Sequence, residues 1–177
     1  LLESRRISLY PWVNDETRLI KPDRIIDKDT KFSLGDHQFL LSYFGKVHSE
    51  GDMSLLSLND QTLYSGDIIF EGRIPFVGDA DIIAWSKTLD HIRNIEMEYF
   101  VPGHGTASDQ PQETMDLTYR YLNFLLDKFT AAVEDMAPFD EVYQAIDWSE
   151  FEDEPAFEAA NRKNAYAVYL YLERVMD

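Results

Sequence analysis

The segment Val101–Gly105, with the sequence Val-Pro-Gly-His-Gly, is the feature that most restricts how this chain can fold. The preceding residues Tyr99–Val101 are apolar and β-prone, which predicts the end of a buried strand. Pro102 is predicted to stop that strand, and the flanking glycines allow a tight turn with room around the imidazole of His104. The fold must therefore deliver one histidine to the edge of a sheet.

Two earlier stretches share this design. Asp67 follows a short strand that ends in glycine, and His48 lies at the apex of a polar turn. The intervening segments Met53–Leu58 and Thr62–Ser65 are predicted to form a hairpin, which brings His48 and Asp67 to the same sheet edge. Two histidines and a carboxylate at strand ends are the donors that a metal site needs. Taken singly, each of the three is more often an ordinary solvated or hydrogen-bonded turn residue than a metal ligand.

The rest of the chain alternates strand patterns with helix patterns. Strands are predicted over Thr30–Leu34, His37–Phe44 and Met53–Leu58, the last with both faces buried. Helices are predicted over Asp81–Asn94, from a cap at Ser108 or Asp109 to Pro138, over Phe139–Ile146 and over Pro155–Met176. This order predicts an α/β layered fold, with residues 1–177 forming a single domain and 106–177 its helical portion.

The remaining charged candidates have simpler interpretations. His37 and His91 are predicted to lie on the surface of a strand and a helix. Arg73 has two possible roles, binding a substrate carboxylate or phosphate, or pairing with Asp79 or Asp81 to brace its loop. The brace is the interpretation we favour.

The composition limits the class of partner. The formal net charge is −17, from 33 acidic and 16 basic residues, which argues against binding nucleic acid or an anionic membrane. An anionic substrate is not excluded, because bound divalent cations invert the local field. The chain has no cysteine, which rules out disulfides and thiolate ligands, and no apolar run approaches a transmembrane length.

The three strand-end motifs resemble those of the metallo-β-lactamase superfamily of metal-dependent hydrolases. The matching pieces are His48–Asp52, Tyr64–Asp67 and Val101–Gly105, and the resemblance is weaker at Asn161–Tyr166. In that family these pieces carry, in order, a metal-ligating histidine, an aspartate that bridges two metals, and a second ligating histidine. The resemblance therefore implies metal ligands at His48, Asp67 and His104, with Asp67 also catalytic.

The linking segment Phe70–Phe76, with Trp85, resembles a subgroup associated with bacterial quinoprotein and sulfur-oxidation systems. This leaves both the bacterial cytoplasm and the periplasm open as compartments. The resemblance implies hydrolysis of a small-molecule substrate by a metal-activated hydroxide, with zinc as the expected metal, two ions per complete site, and iron or manganese as alternatives.

The family's main ligand motif, His-x-His-x-Asp-His, does not occur among the four histidines of this chain. The resemblance therefore implies a partial domain, the C-terminal half of an αβ/βα sandwich, which is expected to be inactive in isolation. A half sandwich leaves one sheet face uncovered, so a missing N-terminal segment or another chain is expected to cover it, with a homo-oligomer as one form of the latter.

Two alternatives remain open at the level of sequence. In the first, His48, Asp67 and His104 form a mononuclear site with two histidines and one carboxylate. In the second, the protein is a metal-free structural or binding protein whose site has degenerated.

Overall fold

The computed structural model describes residues 6–176, and it contains one five-stranded sheet with helices packed on one of its faces. The predicted domain, 1–177, also includes residues 1–5 and 177, which lie outside the described residues. The strands are β1 (Thr30–Leu34), β2 (His37–Gly45), β3 (Asp52–Ser57), β4 (Thr62–Phe70) and β5 (Tyr99–His104). The helices are α1 (Ile82–Arg93), α2 (Pro111–Glu134), α3 (Phe139–Ala145) and α4 (Phe157–Met176).

The strands lie in the order β1-β2-β3-β4-β5, and only the β4–β5 pair is parallel. A parallel pair needs a crossover connection, and α1 supplies it. The predicted β1–β2 hairpin is confirmed, with Leu34 paired to His37 across its turn. The predicted α1 is also confirmed, because Asp81 caps it by accepting a 2.9 Å hydrogen bond from the Ala84 N–H.

The core lies between the sheet and the helices. Leu63 of β4 and Phe100 of β5 are fully buried there, together with Trp85 of α1 and Leu122 of α2. The indole N–H of Trp85 donates to the Ile68 carbonyl at 2.9 Å, so this large side chain is buried without an unpaired donor. Full burial of each large apolar side chain stabilises the fold by about 1.5–3 kcal/mol. The helices therefore pack against one face of β4 and β5 and stabilise both strands.

The ends of two strands differ from the prediction. Pro102 does not stop β5, which continues to His104. The reason is the position of β5 at the edge of the sheet, where a missing N–H can be tolerated. Asp67 does not follow β4 but lies inside it, because β4 continues to Phe70 past an irregular step at Gly66.

The predicted burial of β3 on both faces is wrong. Its residue Met53 is exposed, as are Tyr64 of β4 and Tyr99 of β5. Cross-strand pairing places Leu41, Leu55, Tyr64 and Val101 on one face. In the described part of the chain, the helices pack on the other face. An apolar sheet face is thus left open to solvent.

Two helix starts also differ from the prediction. The N-cap of α2 is Gln110 and not Ser108 or Asp109, and its side chain makes no capping hydrogen bond. Pro111 occupies the first turn as predicted, where its missing N–H costs nothing. The last helix begins at Phe157, two residues after the predicted Pro155. Among the described residues, no helix combines the length and apolar character needed to cross a bilayer.

Candidate metal centre

The site is organised by a close approach of β4 and β5 at two glycines. A Cβ atom added to Gly103 would lie 2.4 Å from both the carbonyl carbon and the oxygen of Gly66, and 2.6 Å from the Asp67 nitrogen. Those distances are far below van der Waals contact, so only glycine fits at position 103. The approach places the residue after each glycine, Asp67 and His104, side by side.

Asp67 and His104 form the central pair of the site. The distance from Nε2 of His104 to Oδ1 of Asp67 is 3.6 Å, and both side chains are roughly half exposed, at 43% and 49%. That distance is too long for a hydrogen bond. Two donors that each lie about 2.0–2.2 Å from one ion in tetrahedral geometry are themselves about 3.3–3.6 Å apart. The donor types and their spacing therefore fit two ligands of one zinc ion.

The imidazole of His104 is held by Phe70. The two residues are paired across the parallel strands, and their rings stack at 4.6 Å between centroids with an interplanar angle of 15°. Phe70 is itself buried, and the hydroxyl of Thr118 on α2 bonds both its N–H and its carbonyl. A buried and doubly anchored ring is a rigid surface against which an exposed histidine can be oriented.

His48 lies in the loop between β2 and β3 and contacts the same phenylalanine. Its ring is 5.4 Å from Phe70 and 5.0 Å from Trp85, in both cases edge to face. The loop is fixed by its neighbour Val47, which is buried and whose carbonyl accepts a 2.9 Å bond from the Asp81 N–H. Nδ1 of His48 is buried without a hydrogen-bond partner. Burying a ring nitrogen without a hydrogen-bond partner lowers the stability of the fold. Nδ1 of His48 is therefore available to bind a group that is not among residues 6–176.

The structure thus brings two of the three predicted ligands together. No group of three or more histidine, cysteine, aspartate or glutamate side chains that could hold a metal is found within residues 6–176. His48 and His104 share contacts with Phe70 but do not form such a group with Asp67. The mononuclear alternative requires all three in one group, and the described residues do not provide it. The assignment of the three as ligands stays a prediction.

The loop after β4 is anchored from α4. The side-chain oxygen of Asn164 accepts a 2.9 Å bond from the Val77 N–H, and its amide donates to the Pro75 carbonyl at 2.6 Å. The same amide donates to the hydroxyl of Tyr121 at 3.1 Å, and burial raises the pKa of that phenol well above its ordinary value. The Asn161–Tyr166 segment, where the sequence resemblance was weaker, therefore contributes by fixing this loop.

Arg73 lies in that loop but does not brace it as predicted. Among the described residues it forms no ion pair with Asp79 or Asp81, and its guanidinium lies 5.2 Å from the ring centroid of Phe76. Asp81 is instead engaged as the cap of α1, and it also accepts a 2.6 Å bond from the hydroxyl of Tyr171.

Sequence reasoning missed two residues that shape the site, Phe70 and Thr118. Phe70 is one of several apolar residues at the end of β4, and Thr118 is one of several polar residues along α2. Their roles depend on which side chains meet across elements that are distant in sequence. No local pattern carries that information.

The comparisons with known proteins agree with this architecture. The profile of the metallo-beta-lactamase superfamily matches residues 3–104, which is more than half of the chain, and the chain belongs to that superfamily. This is a family of hydrolase-like proteins, as the sequence resemblance indicated. The family profile extends as far as His104, so it includes all three predicted ligands.

Two curated relatives illustrate the similarity. The chain is 29% identical over 102 residues to the metallo-beta-lactamase type 2 of Elizabethkingia meningoseptica, covering 54% of this chain and 41% of that protein. It is 24% identical over 90 residues to the acyl-coenzyme A thioesterase MBLAC2 of Gallus gallus, covering 48% of this chain and 32% of that protein. The chain therefore spans less than half the length of these relatives.

Two solved structures share the fold. A metallo-beta-lactamase from Pontibacter korlensis aligns with a TM-score of 0.50 and 23% identity, covering 58% of this chain and 49% of that one. The inverting sec-alkylsulfatase Pisa1 from Pseudomonas sp. aligns with a TM-score of 0.67 and 14% identity, covering 85% of this chain and 26% of that one. At these identities the likeness concerns the fold alone. The α/β metallo-β-lactamase fold predicted from the sequence is confirmed.

Proposed function

We propose that this chain is part of a metal-dependent hydrolase in which Asp67 and His104 bind zinc. The observation that carries the proposal is the 3.6 Å approach of a carboxylate oxygen and an imidazole nitrogen that are not hydrogen-bonded to each other. Membership of the superfamily supports it, because the family profile spans both residues. Zinc is the metal that the donor set favours, and iron or manganese would also accept a histidine and a carboxylate.

When bound, zinc supplies a Lewis acid and lowers the pKa of water toward 7. The residues of this chain have three tasks beside it. His104 presents Nε2 in one orientation, because its ring is stacked on Phe70. Asp67 directs Oδ1 toward His104, which leaves its second oxygen free to accept a hydrogen bond from the attacking water. His48 is proposed as a further ligand, with its ring held against Phe70 and Trp85.

The substrate is proposed to be a small molecule with a hydrolysable acyl bond. The names of the two curated relatives refer to a β-lactam and an acyl-coenzyme A thioester, and both compounds are acyl derivatives. Lactones, simple esters and phosphodiesters also belong in the panel to be tested, since fold alone does not define a substrate.

The open sheet face is proposed to be covered by the rest of a family domain, contributed by additional polypeptide. The face is apolar across four strands, and large exposed apolar patches mark sites of association. The small share of each relative that the chain spans is consistent with such a layer. That layer would also supply the remaining ligands of a dinuclear site. A second copy of the chain is the competing occupant.

The test uses the full-length gene product and the panel of β-lactams, thioesters, lactones, esters and phosphodiesters named above. We expect hydrolysis that a chelator abolishes and that added zinc restores. Asp67→Ala should reduce turnover by a factor on the order of 1,000, with the circular dichroism spectrum unchanged, because it removes a donor and a hydrogen-bond acceptor together.

The control is His37→Ala, because His37 and Asp60 form a second histidine–aspartate pair, at 3.8 Å, away from the predicted site. This variant should keep wild-type turnover. Wild-type turnover and metal content in Asp67→Ala would overturn the proposal, since Asp67 would then be an ordinary strand residue.

A further inference from the structure

We propose that Glu71 is a positioning residue for His104, which rests on the proposed function because it gives that histidine a ligand role. Glu71 directly follows Phe70 at the end of β4. Its carboxylate oxygen Oε2 accepts a 2.9 Å hydrogen bond from the Thr106 N–H, across 35 residues of sequence. Its own N–H donates to the His104 carbonyl at 2.9 Å. Glu71 thus bonds the chain on both sides of Gly105.

The turn itself is shaped to receive this side chain. Gly105 has φ = +106°, and a Cβ atom there would lie 2.3 Å from Oε2 and 2.6 Å from Cβ of Glu71. The side chain of Glu71 therefore occupies the space that any other residue at position 105 would need. The glycine and the glutamate are fitted to each other, and the fit fixes the backbone immediately after His104.

These contacts of Glu71 with His104, Gly105 and Thr106, called the clamp below, restrict the orientation of the His104 imidazole. His104 ends β5, and the chain after it next pairs at Ser108, which forms an isolated antiparallel bridge with Phe100. The ring of His104 is stacked on Phe70, but that contact does not fix the backbone of residues 105–107, which lies between His104 and the bridge. Phe70 fixes the ring and Glu71 fixes the turn, and together they aim Nε2 at Asp67. Groups that hydrogen-bond the ring of a metal-ligating histidine typically account for about 10–100-fold in metal affinity, and Glu71, which acts through the backbone, is expected at the lower end of that range.

Within residues 6–176, the Thr106 N–H is the hydrogen-bond partner found for the Glu71 carboxylate. Glu71 forms no ion pair among the described residues, and it lines an open cleft of about 650 Å³ beside the turn. Glu113 lines the same cleft and is exposed, but it forms no hydrogen bond with the 104–106 turn. The cleft thus provides a matched pair of glutamates that differ in whether they contact the turn.

The test compares variants that separate shape from hydrogen bonding. Glu71→Gln keeps an acceptor oxygen, whereas Glu71→Met keeps the length of the side chain and its packing but has no acceptor able to replace the carboxylate. Glu113→Ala is the control. The first readout is the proton chemical shift of the His104 ring in the metal-free chain, which the stacked Phe70 ring displaces upfield. Four histidines make the assignment simple. The second readout is Co²⁺ affinity by calorimetry.

We expect Glu71→Met to lose most of the upfield displacement and to bind Co²⁺ about 10-fold more weakly. Glu71→Gln and Glu113→Ala should retain the wild-type shift and an affinity within about threefold. Thermal unfolding of every variant confirms that the fold is intact. An unchanged His104 chemical shift in Glu71→Met overturns the proposal. The proposal is also overturned when Glu71→Gln loses as much of the upfield displacement as Glu71→Met does.

The two readouts separate the two proposals. The ring shift needs no metal, so it tests the clamp even if the wild-type chain binds no Co²⁺. In that case the expected shift changes would support the positioning of His104 by Glu71, while the metal-binding function would fail. The reverse result, with Co²⁺ bound by the wild type and no shift change in Glu71→Met, overturns the role of Glu71 alone.

Discussion

At the scale of single residues, the site depends on the close backbone contact between Gly103 and Gly66, which leaves no space for a side chain at position 103. Gly103 is in contact with the backbone of Gly66, and this contact determines how near β5 can come to β4. Asp67 and His104 are the residues next to that contact, so their separation follows from it. Gly103, which precedes His104 in the sequence, is thus required because β4 and β5 pack closely at this position.

Replacing Gly103 by alanine should therefore affect stability and site together. The added Cβ would lie 2.4 Å from Gly66 atoms, so the strands must separate. We expect a loss of about 1–3 kcal/mol in the free energy of unfolding, as for other overpacked sites. Urea denaturation measures it, and Zn²⁺ affinity should fall in the same variant.

Gly78→Ala serves as the control, because Gly78 has φ = +52° and open space around it. It should cost about 1 kcal/mol from backbone strain alone and leave Zn²⁺ affinity unchanged. Wild-type stability in Gly103→Ala would show that the strands do not need this contact.

The residues of the candidate site were only partly predictable. His48, Asp67 and His104 stand in polar, glycine-flanked stretches, and such stretches are visible in the sequence. The distance between Asp67 and His104 was not predictable, because it depends on the irregular β4–β5 pairing at Gly66. The contact of both histidines with Phe70 was hidden because it joins side chains from elements that are distant in sequence.

At the scale of secondary-structure elements, one hydroxyl joins α2 to β4. Oγ1 of Thr118 accepts a 3.0 Å bond from the Phe70 N–H and donates to the Phe70 carbonyl at 2.9 Å. Both backbone groups are buried, and Phe70 lies where the β4–β5 pairing is irregular. The helix therefore completes the hydrogen bonding of the strand beside the site.

Thr118→Val should remove both bonds while preserving shape. Two buried backbone groups would then lack partners, which should lower the free energy of unfolding by about 1–3 kcal/mol. Thr118→Ser keeps the hydroxyl and should lose about 0.8 kcal/mol for the missing methyl group. Chemical denaturation of the pair decides the question. Equal losses in the two variants would mean that the hydroxyl contributes nothing.

The elements were more predictable than their ends. The β1–β2 hairpin and α1 carry strong local signals, which are alternation, a turn and a capping aspartate. The continuation of β5 through Pro102 depends on β5 being an edge strand. The cap of α2 at Gln110 reflects a different local arrangement, in which the Ser108 hydroxyl accepts a 2.7 Å bond from the Gln110 N–H. Topology and competing hydrogen bonds decide such boundaries.

At the scale of the whole molecule, the two faces of the sheet differ. One face is buried under helices, with Leu63 and Phe100 fully enclosed. The other face is apolar and open, and Tyr64 is 44% exposed on it. The sequence predicted an uncovered face only through the family resemblance, because the near-continuous apolar run of β3 is equally typical of a strand buried on both sides.

A charge on the open face should therefore change association more than stability. Tyr64→Lys should reduce self-association of the isolated chain while changing the free energy of unfolding by less than about 0.5 kcal/mol. The control, Gln144→Lys, adds the same charge at an exposed position of α3 and should leave association unchanged. Sedimentation velocity measures both. Equal behaviour of the two variants would argue against an association face.

The central claim is that Asp67 and His104 hold the same ion. A double-mutant cycle of Asp67→Ala and His104→Ala tests it most directly, with the Zn²⁺ affinity of this chain measured by calorimetry. The wild-type chain should bind weakly, since few ligands are present. Each single alanine variant should lose at least about 10-fold in affinity, and the double variant should lose little more, because one remaining donor cannot chelate. Additive losses, or wild-type affinity in either single variant, would contradict the account.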